Sequence, residues 1–161
     1  MIREEGFMDK ELFRDICSQL MGRQSFPALH HLGESLLHPE LPDVIAIVDS
    51  YNLHTGLSCN AAFLIPKVSE HIIRAKLDQI TFCLDSTFDD KYTIIKRNKK
   101  SVRDNILAIK KFLEIKKMLN RKVSITLQMI RMKENKEEWD HIIELGNQLD
   151  IDQIALVPFG Q

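Results

Sequence analysis

The residues best placed for chemistry are polar groups that recur at the ends of apolar runs. Gly33 and Glu34 lie in the stretch His31-Leu32-Gly33-Glu34-Ser35-Leu36-Leu37-His38, between an apolar run and a Pro-punctuated helix start. The pair puts a bare backbone and one carboxylate at the exit of an expected strand. Asn60, Asp85 and Gln128 stand at or near the ends of later expected strands. Ligands in parallel α/β folds bind at the carboxyl ends of strands. Any one of these residues alone reads as a loop or cap residue. Their repetition along the chain favours a shared site.

The elements that must position them follow from periodicity and punctuation. A helix is expected over 9–21, with Asp9 as N-cap and Leu12, Phe13, Ile16 and Leu20 on one face; Gly22 closes it. Strands are expected at Pro27–Leu32, Leu53–Cys59, Asp78–Leu84, Val123–Met132 and Ile151–Val157. Helices are expected at Pro39–Tyr51, Pro66–Lys76, Asp89–Arg97 and Ser101–Leu119, with Asn135 capping one that runs to Leu149. Strands alternating with helices mean a parallel sheet with right-handed crossovers. The fold class is α/β with about five parallel strands. A closed eight-strand barrel needs about 250 residues, so 161 residues give an open sheet or part of a barrel in one domain.

Parallel strands covered on both faces read as continuous apolar runs, and these do not. Val123, Ile125, Leu127 and Met129 point one way; Ser124, Thr126 and Gln128 point the other. Ile80, Phe82 and Leu84 share a face opposite Thr81, Cys83 and Asp85. Ser58 and Asn60 end the preceding strand on one face. Each strand thus has an apolar face for helices and a polar face that lines a cavity or a concave surface.

Composition narrows the class. Apolar residues make up 44% and charged residues 28% of the chain, and the formal net charge is −1. This gives no global pull toward nucleic acid or an anionic membrane. No run approaches the ~18 apolar residues of a membrane span, and the start shows no signal peptide; a cytoplasmic location is the default expectation. Cys17, Cys59 and Cys83 are too far apart for a disulfide framework or a metal knuckle. Cys17, on an apolar helix face, reads as a core residue. His30, His31 and His38 are close in sequence, but His30 and His31 point to opposite faces of a strand, so packed or solvated roles outweigh metal binding. The basic residues over 96–122, among them Lys96, Arg97, Lys99, Lys100, Lys110 and Lys117, read as a solvated helix face rather than a nucleic-acid surface, since aromatics are not interleaved. There is no local Ser-His-Asp set, no Gly-x-Gly-x-x-Gly and no phosphate loop.

The order of motifs resembles the radical S-adenosylmethionine family. Gly33-Glu34-Ser35-Leu36-Leu37-His38-Pro39 is similar to that family's Gly-Gly-Glu-Pro-Leu-Leu-His-Pro motif. Ser58-Cys59-Asn60-Ala61 resembles its Thr-Thr-Asn-Gly strand end, and Ile80-Thr81-Phe82-Cys83-Leu84-Asp85-Ser86 its Val-Ser-Leu-Asp-Gly strand. The tract Ile125 to Asn135 resembles its fifth strand and following cap, and Asp150 to Ile154 the start of its sixth strand. The resemblance runs from about residue 7 to residue 158. It implies a partial (β/α) barrel and S-adenosylmethionine as cofactor, cleaved to a 5′-deoxyadenosyl radical by a [4Fe-4S] cluster. It also implies that Glu34 accepts the methionine ammonium, that Gly33 allows close approach, and that Asn60, Cys83, Asp85 and Gln128 belong to the cofactor site or the lumen. The implied substrate is a peptide or a small molecule.

Departures bear on activity. The family's first strand and its Cys-x3-Cys-x2-Cys cluster loop are absent from the sequence, and Cys17, Cys59 and Cys83 lie on three different elements. Leu32 replaces the first motif glycine, Ser35 the proline, Cys83 the serine, and Ala61 and Ser86 later glycines. Two readings stand. One is a core fragment that is catalytic only with a cluster-bearing segment or partner chain; the other is a non-catalytic binding module that kept the fold. In either, the Pro27–Leu32 strand is expected to be an open edge prone to self-association.

Overall fold

The computed structural model describes residues 6–23, 25–30, 33–96 and 101–159. His31, Leu32, Arg97, Lys99 and Lys100 lie outside the described residues, as does the side chain of Lys96. The elements are α1 (Lys10–Leu20), α2 (Leu41–Ser50), β1 (Gly56–Cys59), α3 (Pro66–Arg74), β2 (Gln79–Cys83), α4 (Asp89–Lys96), α5 (Val102–Met118), β3 (Ser124–Arg131), α6 (Trp139–Gln148) and β4 (Gln153–Pro158). The strands form one parallel sheet in the order β1-β2-β3-β4. Among the described residues no helix is long and apolar enough to cross a membrane.

The fold class is the α/β architecture expected, with four strands rather than five among the described residues. Of the segment expected as the first strand, residues 27–30 are described, and they make a single parallel bridge, Ala28 to Gly56. Leu29 N donates to Gly56 O at 2.8 Å, but the next rung is lost. Ser58 N donates to the ring Nδ1 of His30 at 3.1 Å, and Leu29 O accepts from Ser35 Oγ. Side chains thus take the groups that a ladder would need. Pro27 has no N–H to add below, and its carbonyl accepts from Thr55 Oγ1.

The alternation read from sequence is the alternation found. Ile80, Phe82, Ile125, Leu127 and Met129 are buried, while Thr81, Cys83, Ser124, Thr126 and Gln128 are half-buried. The apolar face packs on Ile45 of α2, Ile72 and Ile73 of α3, Ile109 and Phe112 of α5 and Ile142 of α6. Phe82 meets Phe112 edge to face at 5.4 Å, a favoured aromatic geometry. A second, smaller core holds Cys17, Ile47, Val48 and Leu53 where α1 lies on α2. The buried row of α5 is Val102, Asn105, Ile109, Phe112 and Ile115; Ile106 and Leu113 beside it are half-buried.

Side-chain caps explain the starts of α1 and α5. Asp9 accepts from Glu11 N and Leu12 N, and Ser101 forms a capping box with Asp104. Asn135 does not cap α6. A 3-10 turn at Lys136–Glu138 intervenes, and no helix N–H reaches the Asn135 side chain as a cap bond. Four helix-to-strand returns each contain a left-handed residue: Asn52 (φ 55°), Lys76 (φ 70°), Asn120 (φ 50°) and Asp150 (φ 54°). Asn and Asp tolerate that conformation better than other L-residues.

Candidate functional site

The sequence between β-elements brings two distant motifs into contact. Glu34 is half-buried, and its Oε1 accepts Leu36 N at 3.2 Å, which starts the 3-10 turn Ser35–Leu37. Its Oε2 accepts Asn60 N at 3.1 Å, across 26 residues. A carboxylate offers about four lone-pair sites, so two N–H donors leave it capacity for another partner. Gly33 has φ +95°, and a Cβ there would meet nothing within 4 Å. Glycine is therefore favoured by its backbone angle, and the space beside it is open. A cleft of about 390 Å³ adjoins the pair and is lined by Phe7, Phe13, His30, Glu34, His38 and Leu41. His38 Nδ1 accepts Glu40 N at 3.1 Å and its ring tilts against Phe7, while its Nε2 is buried with no hydrogen-bond partner.

Asn60 faces both ways. Its Oδ1 accepts Ala62 N at 3.0 Å, closing a 3-10 turn over Ala61–Phe63, and also accepts the hydroxyl of Tyr92 at 3.3 Å. Cys83 and Gln128 come together on the polar face of adjacent strands, paired in register. Ser58 Oγ lies 2.9 Å from Cys83 Sγ, and Gln128 Nε2 lies 3.9 Å from it. Asp85 sits two residues beyond Cys83, on the β2 exit. It is 3% exposed, and its Oδ1 accepts Ile130 N at 2.9 Å, joining β2 to β3.

The three cysteines do not converge. Cys17 and Cys59 sit in separate apolar clusters, and Cys83 is on the polar face. Burial, then the Glu34 carboxylate and Cys83, push the Cys59 thiol well above its ordinary pKa. Burial likewise raises that of Cys17. Both stay protonated near neutral pH, and a cluster needs thiolates. Among the described residues no three His, Cys, Asp or Glu side chains form a metal-holding group. These residues do not fit an iron–sulfur cluster, whereas the half-buried Glu34 carboxylate beside open Gly33 has acceptor capacity left for a cationic group.

Some residues that organise the exits were not singled out from sequence. Asn135, fully buried, donates through Nδ2 to Asp85 O and Ile130 O, and accepts Met132 N and the Trp139 indole through Oδ1. Glu138, also fully buried, accepts Ser86 Oγ at 2.8 Å and Thr87 Oγ1 at 2.9 Å, with Lys91 Nζ 3.6 Å away. The Asn135-to-Glu138 spacing is that of a cap and its N3 acid. Only burial reveals that both side chains turn inward. Tyr92 and Asn105 lie 13 residues apart on two helices, and no local pattern joins them.

No protein-family model matches the sequence, and no curated protein matches it. Solved structures do match. The structure of Streptococcus suis SuiB bound to precursor peptide SuiA superposes with a TM-score of 0.79 at 11% identity, covering 98% of this chain and 34% of that one. SuiB bound to S-adenosylmethionine gives 0.78 at 11% identity, covering 99% and 36%. TYW1 with a lysine-pyruvate adduct bound gives 0.66 at 19% identity, covering 94% and 51%. The chain thus spans about one third of SuiB and about half of TYW1. At these identities the likeness is one of fold, shared with radical S-adenosylmethionine enzymes.

Proposed function

We propose that this chain is a radical S-adenosylmethionine-like core that binds S-adenosylmethionine at the β1 side of the sheet. The observation that carries the reading is the bond between Glu34 and the Asn60 amide. It joins the two motifs of the resemblance beside a backbone, at Gly33, with open space around it. Glu34 would accept the methionine ammonium in a charge-assisted hydrogen bond. Asn60 would shape the neighbouring strand exit, and Cys83 and Gln128 would line the polar face toward a substrate. The SuiB structures hold S-adenosylmethionine in one case and a precursor peptide in another, which supports this cofactor and a peptide as substrate class.

Radical cleavage would need a cluster supplied by a Cys-x3-Cys-x2-Cys segment or partner chain. The dispersed cysteines favour a second reading, in which this chain only binds. Calorimetric titration separates binding from no binding: S-adenosylmethionine should bind the wild type and bind Glu34→Gln about tenfold or more weakly. Equal affinity for both proteins refutes the assignment of Glu34. Anaerobic iron–sulfide reconstitution then separates the two readings. A cluster that forms on this chain and cleaves S-adenosylmethionine under reductant excludes the binding-only reading.

A further inference from the structure

We propose that Tyr92 is a positioning residue for Glu34, acting through Asn60; this rests on the reading that Glu34 receives a ligand ammonium. Tyr92 is wholly buried on α4. A buried phenol needs a partner for its hydroxyl, and this one has two. It accepts from Asn105 Nδ2 at 3.2 Å and donates to Asn60 Oδ1 at 3.3 Å. Asn105 is itself fully buried in α5 and is held by a second bond to Ser101 O. The hydroxyl therefore has a fixed direction for its proton, toward Asn60.

The consequence reaches Glu34 through one residue. The Asn60 side chain is held from one side by Tyr92, while its peptide N–H donates to Glu34 Oε2. Among the described residues the segment before Glu34 makes one bridge to the sheet, so sheet pairing there does little to place it. Its latch is the Asn60 amide. The start of α5 is also fastened to α4, by Asp89 Oδ1 accepting Val102 N at 2.6 Å. The chain Asn105–Tyr92–Asn60–Glu34 thus carries the rigidity of the long helix to the one carboxylate on the loosely paired edge. Positioning shells of this kind set how much of a charged contact a ligand realises.

Tyr92→Phe keeps the ring and removes the hydroxyl. The first measurement is amide hydrogen exchange in the free protein. The Asn60 amide should exchange faster in the variant, while the Ile130 amide, held by Asp85, stays unchanged. No change at Asn60, or an equal rise at both, overturns the proposal. The second is affinity for S-adenosylhomocysteine, which has the amino-acid headgroup, and for 5′-methylthioadenosine, which lacks it. The variant should lose about fivefold in the first and nothing in the second. It should lose nothing further when Glu34→Gln is already present. An equal loss for both ligands indicates general loosening and overturns the proposal. A wild type with no preference between the two ligands defeats the ammonium reading instead, and the exchange at Asn60 still decides the link to Tyr92. Should Tyr92→Phe fail to fold, Asn105→Ala carries the same comparisons with smaller shifts in the same order.

Discussion

The two sides of the strand-exit surface use the same kinds of residue for different ends. On the β1 side a carboxylate and a carboxamide, Glu34 and Asn60, stand beside an open glycine and a cleft, and Glu34 is half-buried. On the β2–β3 side Asp85, Asn135 and Glu138 are buried, and each bonds across the sheet or to the next loop. Residue type and topological position are alike, so neither separates a ligand group from a structural tie. What separates them is accessibility. Glu138 is wholly buried, with Oε2 accepting from Ser86 and Thr87 and Lys91 3.6 Å from Oε1, so it ties the loops together. A half-buried carboxylate with two of about four acceptor sites engaged is still able to receive a ligand.

Substitutions should divide along this line. Glu138→Ala leaves Lys91, Ser86 and Thr87 without their common partner, and should lower unfolding free energy by about 3–5 kcal/mol in urea denaturation. If the loss is below about 1 kcal/mol, the β2–β3 side is not the rigid one. Glu34→Ala removes a cap worth about 0.5–2 kcal/mol, and its main effect should instead be loss of S-adenosylmethionine binding in calorimetry. A large stability loss with binding intact would reverse the roles of the two sides. Iodoacetamide should label Cys83 in the native protein and reach Cys17 and Cys59 only after unfolding, read by mass spectrometry. Early labelling of Cys59 would show that the apolar face opens as readily as the polar one.

The smallest effect belongs at the opposite end of the strands. His54 Nδ1 lies 3.0 Å from Asp78 Oδ1, and the hydrogen bond to Asp78, then its charge, raise the imidazole pKa above the ordinary 6.5. A raised folded pKa means stability that is full below the unfolded value and lost as pH rises through the folded value. Urea midpoints should therefore fall slightly from pH 6 to pH 8, and His54→Gln should flatten that slope. A midpoint that climbs over this range contradicts the pairing.

Much of the architecture was legible because local chemistry and tertiary structure agree. Asp9, Pro66 and Ser101 start helices where their side chains or fixed φ suit a first turn. The period-two pattern of Val123 to Met129 matches the observed burial. The reading failed where a side chain replaced a backbone partner. His30 and Ser35 take up bonds that a strand over residues 27–30 would need. Asn135 is a residue type suited to a cap, yet its side chain staples two strand exits instead. At the site, the candidate residues were found by their place at strand exits. Their coupling to Tyr92 was not, because contact between α4, α5 and β1 is a product of the packed fold.

The left-handed returns bear on how this chain could be altered without harm. Asn52, Lys76, Asn120 and Asp150 all occur where a helix hands over to a strand. That rim is at the amino ends of the strands, and Glu34, Asn60 and Asp85 occupy the other. Engineering can therefore treat the two rims as separate workspaces. Lys76 is the return residue least suited to its backbone angle, although its amine pairs with Asp49 at 2.6 Å. Replacing it by Asn or Gly exchanges an exposed ion pair of small worth for a relaxed turn, a strand length from the rim that carries Glu34 and Asn60.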